Sequence, residues 1–126
     1  MTPHKKPRIP ETFRPQLAFD NPVSVNRLYK PSRGRIVMSD EARAFKQEVG
    51  YLARLQWEGE PFEEALCVTY VFYGSKMDVD NGVKILTDAL NGIAWLDDSQ
   101  IVESHLYIDR TPIDDDPYVE VEIKKL

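Results

Sequence analysis

Apolar residues recur at Ala42, Phe45, Val49 and Leu52, and Gln56 continues the series. That spacing places them on one face of a helix, so the pattern predicts an amphipathic helix over residues 40–56 with Ser39 as its N-cap. Arg43, Lys46 and Arg54 fall off the stripe. From Ala65 to Tyr73 the pattern changes: β-branched and aromatic residues occur on both sides of the chain, as in a central strand covered on both faces. Helical spacing returns with Val83, Leu86, Leu90 and Ile93 and predicts a second helix over residues 81 to about 91, stopped by Gly92. Ile101 to Ile108 reads as a further strand. Tyr118 to Lys124 alternates, which predicts Val119, Val121 and Ile123 facing in and Glu120, Glu122 and Lys124 facing out. Leu17-Ala18-Phe19 suffices for a short first strand, and residues 21–38, rich in Pro, Ser, Gly, Asn and Arg, read as a long loop. The order strand, helix, strand, helix, strand, strand predicts an α+β fold in two layers, a mixed β-sheet with helices packed against one face.

Composition narrows the class. A length of 126 residues suits one domain with one core. With 42% hydrophobic and 29% charged residues, the chain is not disordered throughout. No apolar run approaches the roughly 20 residues that span a bilayer. The lone cysteine, Cys67, cannot pair within the chain, which points to a reducing compartment. The first residues are basic but lead into proline and polar residues, unlike a signal peptide. Residues 1–15, rich in Pro, Lys and Arg, are expected to be a flexible basic arm before a single domain over 16–126. The net charge of −5 conceals an asymmetry: residues 1–56 carry 11 Lys+Arg against 5 Asp+Glu, and residues 57–126 carry 5 against 16. A polyanion docks on a local patch rather than on an average, although solvation alone also accounts for such charge.

The chemistry concentrates in Lys76-Met77-Asp78-Val79-Asp80-Asn81-Gly82-Val83-Lys84, where a strand gives way to a helix. In extended chain Asp78 and Asp80 point to the same side, and carboxylates that close favour a cation between them. Mg²⁺ suits such oxygen donors. Asp80 can also cap the second helix. Lys84 lies one turn beyond it, on a face with Asn81 and Asp88 that is distinct from the apolar stripe. A surface Lys84–Asp88 pair beside an N-cap explains the same residues. A calcium loop does not: counting from Asp78, the sixth position is Val83 and the twelfth is Ala89, where Gly and Glu are needed. Asp97-Asp98-Ser99 is a polar turn that would supply a third carboxylate if the strand after it lies beside the central one. His4 and His105 lack metal-ligand spacing, so no zinc site is expected. Nucleophile-elbow, P-loop and dinucleotide-binding glycine patterns are absent from the sequence. Residues 21–35 offer Arg27, Lys30, Arg33 and Arg35 with Asn21, Asn26 and Tyr29, a loop suited to phosphate contact.

Taken in order, these segments resemble the RusA family of Holliday-junction resolvases. The carriers are Pro22-Val23-Ser24-Val25-Asn26-Arg27-Leu28-Tyr29, Arg33-Gly34-Arg35, Ser39, Asp78-Val79-Asp80-Asn81 with Lys84, Asp88-Ala89-Leu90-Asn91-Gly92, and Trp95-Leu96-Asp97-Asp98-Ser99-Gln100-Ile101. The resemblance spans residues from about 18 to 124. It implies a homodimeric endodeoxyribonuclease that resolves four-way DNA junctions by symmetric phosphodiester hydrolysis, in recombination and repair. Mg²⁺ is the implied cofactor, with Mn²⁺ as a substitute, and the cytoplasm of a bacterial or phage-infected cell is the implied location. The family's catalytic residues fall on Asp78, Asp80, Asp98 and Lys84, the three aspartates being its metal ligands, with Asp97 adjacent. Its DNA-contacting region falls on Asn26, Arg27, Lys30, Arg33 and Arg35, with Lys76 beside the acidic pair. A non-cleaving module that binds branched DNA, or a nuclease acting on flaps or forks, is the alternative. The basic arm before residue 16 and the overall acidity depart from the family pattern.

Overall fold

The structure, a computed structural model, describes residues 16–20, 29–74, 79–111 and 117–126. Strand β1 (Gln16–Asp20) is followed by a hairpin of β2 (Tyr29–Ser32) and β3 (Arg35–Met38). Helix α1 (Asp40–Gln56), strand β4 (Leu66–Tyr73), helix α2 (Val79–Ala89) and strands β5 (Ile101–Asp109) and β6 (Tyr118–Lys125) complete the order. The main sheet runs β1-β6-β4-β5, with β4 and β5 parallel and the other pairs antiparallel. This is the expected α+β architecture with a mixed sheet.

Local chemistry explains the elements. Ser39 caps α1 by accepting from the Ala42 N–H at 3.2 Å, and Asp40 and Glu41 place negative charge in its first turn. Its buried residues Ala42, Phe45, Val49 and Ala53 follow the predicted stripe. They meet Ile85, Leu86 and Ala89 of α2, and Leu90 just after it, above one face of the sheet. That face carries Leu66, Val68, Tyr70 and Phe72 of β4, Leu17 and Phe19 of β1, and Val119, Val121 and Ile123 of β6. A parallel β4–β5 pair needs a crossover, and α2 is that connection.

Two sequence expectations are corrected. Residues 29–38 are not loop but the β2–β3 hairpin, while residues 21–28 lie outside the described residues, as does the arm over residues 1–15. Arg33 and Gly34 form its turn with φ of 50° and 76°, the pair of positive values that a two-residue hairpin turn requires. Pro31, Ser32, Arg35 and Ile36 are all exposed, so pairing rests on backbone bonds and no buried face imprints a period of two on the sequence.

The second correction concerns β6. Glu120 and Glu122 do lie opposite Val119 and Val121, but at 3% and 6% exposure they are buried. Strand β6 sits between β1 and β4, where Glu120 pairs with Ala18 and Val71, and Glu122 with Gln16 and Thr69. Alternation reports which face a residue takes, not whether water lies over it. Cys67, Thr69, Val71 and Tyr73 of β4 share this second face and are equally buried. There Tyr73 stacks on Tyr118 with centroids 4.5 Å apart. Burial raises the Tyr73 phenol above its usual range, and the charges of Glu120 and Glu122 add to the rise.

Leu86 has no exposed surface and joins α2 to the core. Leu86→Ala should cost about 2–5 kcal/mol of unfolding free energy in urea titrations, by lost transfer energy plus a cavity. A loss below about 1 kcal/mol would show that α2 is not packed as described.

Candidate active site and nucleic-acid interface

Helix α2 begins at Val79, two residues before the expected start, so Asp80 lies within its first turn rather than at its cap. The position still favours a carboxylate, because the unpaired N–H groups of a first turn carry partial positive charge. Lys84 follows one turn later and is exposed. Thr87 follows at i+7 from Asp80, so Asp80, Lys84 and Thr87 form one stripe along the helix. About 10 Å of helix separates its two ends. Asp78 and Lys76, expected at this site, lie outside the described residues.

The stripe is anchored to the sheet at Thr87. Its hydroxyl donates to the Val83 carbonyl at 2.7 Å and lies 2.6 Å from the Tyr70 hydroxyl. A threonine has one O–H to give. Tyr70 is therefore the donor in the second bond, and the phenol must keep its proton. Burial pushes the Tyr70 phenol up to about 12, and the nearby charge of Asp98 adds to the rise. Asp98, in the turn before β5, is thus within electrostatic reach of the same phenol.

That turn is rigidly built. Trp95 is fully buried and donates through Nε1 to Asn91 Oδ1 at 2.8 Å. Gly92 turns the chain with φ of 82°, and its N–H reaches the Trp95 carbonyl at 2.7 Å. Asp97 then caps the single 3₁₀ turn Asp98–Gln100: its Oδ2 accepts from Ser99 N–H at 3.0 Å, while Gln100 Oε1 accepts from Asp97 N–H at 2.9 Å. The hydroxyl and backbone N–H of Ser99 hold the Asp97 carboxyl below the usual carboxylate range. Gln100 Nε2 ties the turn to the Phe62 and Glu64 carbonyls at 2.8 and 3.0 Å. The two adjacent aspartates therefore differ: Asp97 shapes the turn, and Asp98 takes no part in the cap.

The strand after Asp98 does lie beside β4, as the third-carboxylate expectation required. The parallel register pairs Ile101 with Leu66, however, whereas α2 starts beyond Tyr73 at the other end of β4. Asp98 therefore lies towards the C-terminal half of α2, near enough to Tyr70 for its charge to act on the phenol, and Lys84 and Asp80 follow up the helix. Among the described residues, Cys67, Glu103 and His105 form a group of three metal-ligating side chains that includes neither Asp80 nor Asp98.

The basic residues divide as well. Lys30 donates to Asp40 Oδ1 at 2.9 Å and holds the hairpin to the start of α1; that bond keeps the Asp40 carboxyl below its usual range. Arg33 and Arg35 are exposed at the hairpin turn. Asn26 and Arg27 lie outside the described residues. An open groove of about 620 Å³ runs between α1 and the end of α2, lined by Arg43, Lys46, Tyr51 and Arg54 facing Asp88 and Asn91. Sequence reasoning left Arg43, Lys46 and Arg54 unassigned. The available signal was their own helical spacing, a second stripe running through Gly50.

Residues 20–124 match the family model described as Endodeoxyribonuclease RusA. The chain belongs to the RusA family. No curated protein sequence matches it. Membership makes the RusA-family chain a crossover-junction endodeoxyribonuclease, the enzyme class expected from the sequence. No helix among the described residues is long and apolar enough to cross a membrane.

Gln100 makes three side-chain hydrogen bonds, one within its turn and two that tie the turn to residues 62–64, so Gln100→Ala should lower stability by about 1–3 kcal/mol. The loss should appear in urea unfolding with the m-value unchanged. A stability equal to wild type would mean that the turn holding Asp98 is set by Trp95 and Gly92 alone.

Proposed function

We propose that the RusA-family chain is a Mg²⁺-dependent endonuclease that resolves four-way junctions through Asp78, Asp80, Asp98 and Lys84. The supporting observation is the face formed by Asp80, Lys84 and Thr87 on α2, bonded to the sheet at Tyr70, with the charge of Asp98 within electrostatic reach of that phenol. The proposed donors are all carboxylate oxygens, the set that a small hard cation takes, and Mn²⁺ is the natural substitute. When bound, the ion supplies an activated water and neutralises charge at the departing 3′ oxygen. The protein groups do the rest. Asp80 and Asp98 fix the polar ends of the face, and Tyr70 keeps α2 in register with β4 by donating to Thr87. Lys84, one turn from Asp80, orients that carboxylate and meets negative charge developing on the phosphate.

Arg33, Arg35 and the groove cations Arg43, Lys46 and Arg54 hold the DNA backbone, together with Asn26, Arg27, Lys30 and Lys76. A homodimer suits a substrate with two-fold symmetry. It is supported by β5, which forms one edge of the sheet and exposes Val102, Leu106 and Ile108 on one side. The activity belongs to recombination and repair in the cytoplasm, with residues 16–126 as the nuclease domain and residues 1–15 as an added basic arm.

In a cleavage assay on a labelled four-way junction with Mg²⁺, Asp80→Asn should cut at about a hundredth of the wild-type rate or less. Its junction affinity by gel shift should stay within about twofold. Near-normal cutting would overturn the assignment, and binding without cutting by the wild type would move the protein to the branched-DNA-binding class. Flaps or forks cut faster than junctions would change the substrate and keep the chemistry.

The doubly substituted Lys46→Glu, Arg54→Glu chain tests the groove. Its junction Kd should rise, and the slope of log affinity against log salt should fall in magnitude by about 2. An unchanged slope would remove the groove from the DNA path.

A further inference from the structure

The second face of the sheet carries a cluster that the nuclease reading does not use. Cys67 of β4 pairs in register with Glu103 of β5, and the next residues on the same face, Thr69 and His105, are also partners. Glu103 and His105 are two apart in a strand and so point the same way. The Cys67 Sγ, a Glu103 oxygen and a His105 nitrogen all lie within 4.8 Å of one another, with His105 Nε2 3.7 Å from Glu103 Oε2. Cys67 is buried, whereas Glu103 and His105 are half-exposed, so the sulfur forms the floor of a site open on one side.

The core-facing residues of β4 have even numbers and Cys67 has an odd one, which puts this cluster on the other side of the sheet from α2. Sequence spacing could not reveal it, because its ligands come from two strands and the intervening helix separates them along the chain. His105, set aside for want of metal-ligand spacing, has Glu103 two residues before it on β5 and gains the sulfur only through the parallel pairing.

We propose that Cys67, Glu103 and His105 form a binding site for a borderline transition-metal ion, Zn²⁺ being the best fit, separate from the aspartate site. One sulfur, one imidazole nitrogen and one carboxylate oxygen are zinc donors, and the fourth tetrahedral position faces solvent and takes water. At zinc bond lengths neighbouring N and O ligands stand about 3.4 Å apart, so the 3.7 Å His105–Glu103 separation needs little adjustment. Mg²⁺ does not compete here, because hard cations avoid thiolate. In the free protein, burial and the hydrogen bond to Glu103 push the Cys67 thiol up to about 11, so the metal must displace a proton. Binding releases that proton to solvent and forms the metal–sulfur bond, with no change of oxidation state. The consequence is mechanical: the ion clamps the exposed edge strand β5 to β4 just after the turn that holds Asp98.

Titrating the metal-free full-length chain with Co²⁺, a spectroscopic stand-in for Zn²⁺, tests the site without recourse to nuclease activity. One equivalent should produce a near-ultraviolet thiolate-to-cobalt charge-transfer band, which Zn²⁺ abolishes by displacement. Cys67→Ser should remove the band, and His105→Ala should weaken binding by roughly tenfold or more. Asp80→Asn should leave both unchanged, which separates this site from the proposed nuclease centre. Micromolar Zn²⁺ should raise the Tm of the wild type but not of His105→Ala. If Cys67→Ser fails to fold, the half-exposed His105→Ala and Glu103→Gln variants carry the test. Absence of the charge-transfer band in the wild type, or affinity unaffected by both of those variants, would overturn the proposal.

Discussion

Burial of β4 on both faces is the constraint on which the rest of the molecule depends. All eight of its residues are buried, and it pairs with β5 on one side and β6 on the other. Such a strand cannot shift by one residue without exchanging its two apolar faces. Its even-numbered side chains meet α1 and α2, and its odd-numbered side chains fill the opposite face. The parallel register with β5 then decides where the chain returns after α2, and hence towards which part of α2 Asp98 lies. Had β5 paired antiparallel, the turn before it would have lain beside the start of α2 instead.

Tyr70 is where this constraint reaches the candidate site. Its ring belongs to the core and its hydroxyl donates to Thr87 at the edge of the Asp80–Lys84 face. A buried hydroxyl without a partner would cost about 1–3 kcal/mol, so the bond fixes the rotation of α2 about its axis. The neighbouring aspartates show the same economy of means. Asp97 satisfies the N–H groups of the turn, so the backbone that carries Asp98 is determined before any ligand arrives. Rigid support of this kind is what a metal or phosphate site requires of the elements beneath it.

Much of this was legible in the sequence, for identifiable reasons. Helix α1 and strands β4 and β6 follow from Phe45 and Val49, from the run at 66–73 that only Thr69 interrupts, and from the alternation at 118–124. Each pattern is imposed by burial, and burial is what leaves a period in a sequence. The β2–β3 hairpin was missed because it buries no full face, with only Met38 at its end packed against the core, and only the Arg33–Gly34 turn betrays it. Glu120 and Glu122 were assigned to the correct face, but what covers that face is decided by elements distant in sequence. Of the candidate site, sequence marks the acidic motifs and Lys84 as residue types. The route from Asp98 to α2 is not marked, because it runs through the parallel register and a tyrosine that sequence marks only as core. The same limit hid the Cys67–Glu103–His105 cluster.

The asymmetry of charge now has a structural form, and it bears on how an acidic chain engages DNA. The excess cations of the first 56 residues are carried in part by the hairpin turn and by the outer stripe of α1, where Arg43, Lys46 and Arg54 line one groove. Helix α1 packs against α2, so these cations lie on the element next to the one that carries Asp80 and Lys84. Screening limits each charge to within about a Debye length, roughly 8 Å at physiological salt. The acidic surface beyond that distance contributes little to the potential at the groove. Net charge therefore sets solubility and long-range approach, while the packing of α1 on α2 decides which cations stand together on the face proposed to hold a phosphate backbone. An acidic average and a local polyanion-binding surface are compatible because the fold, not the composition, determines which charges are neighbours.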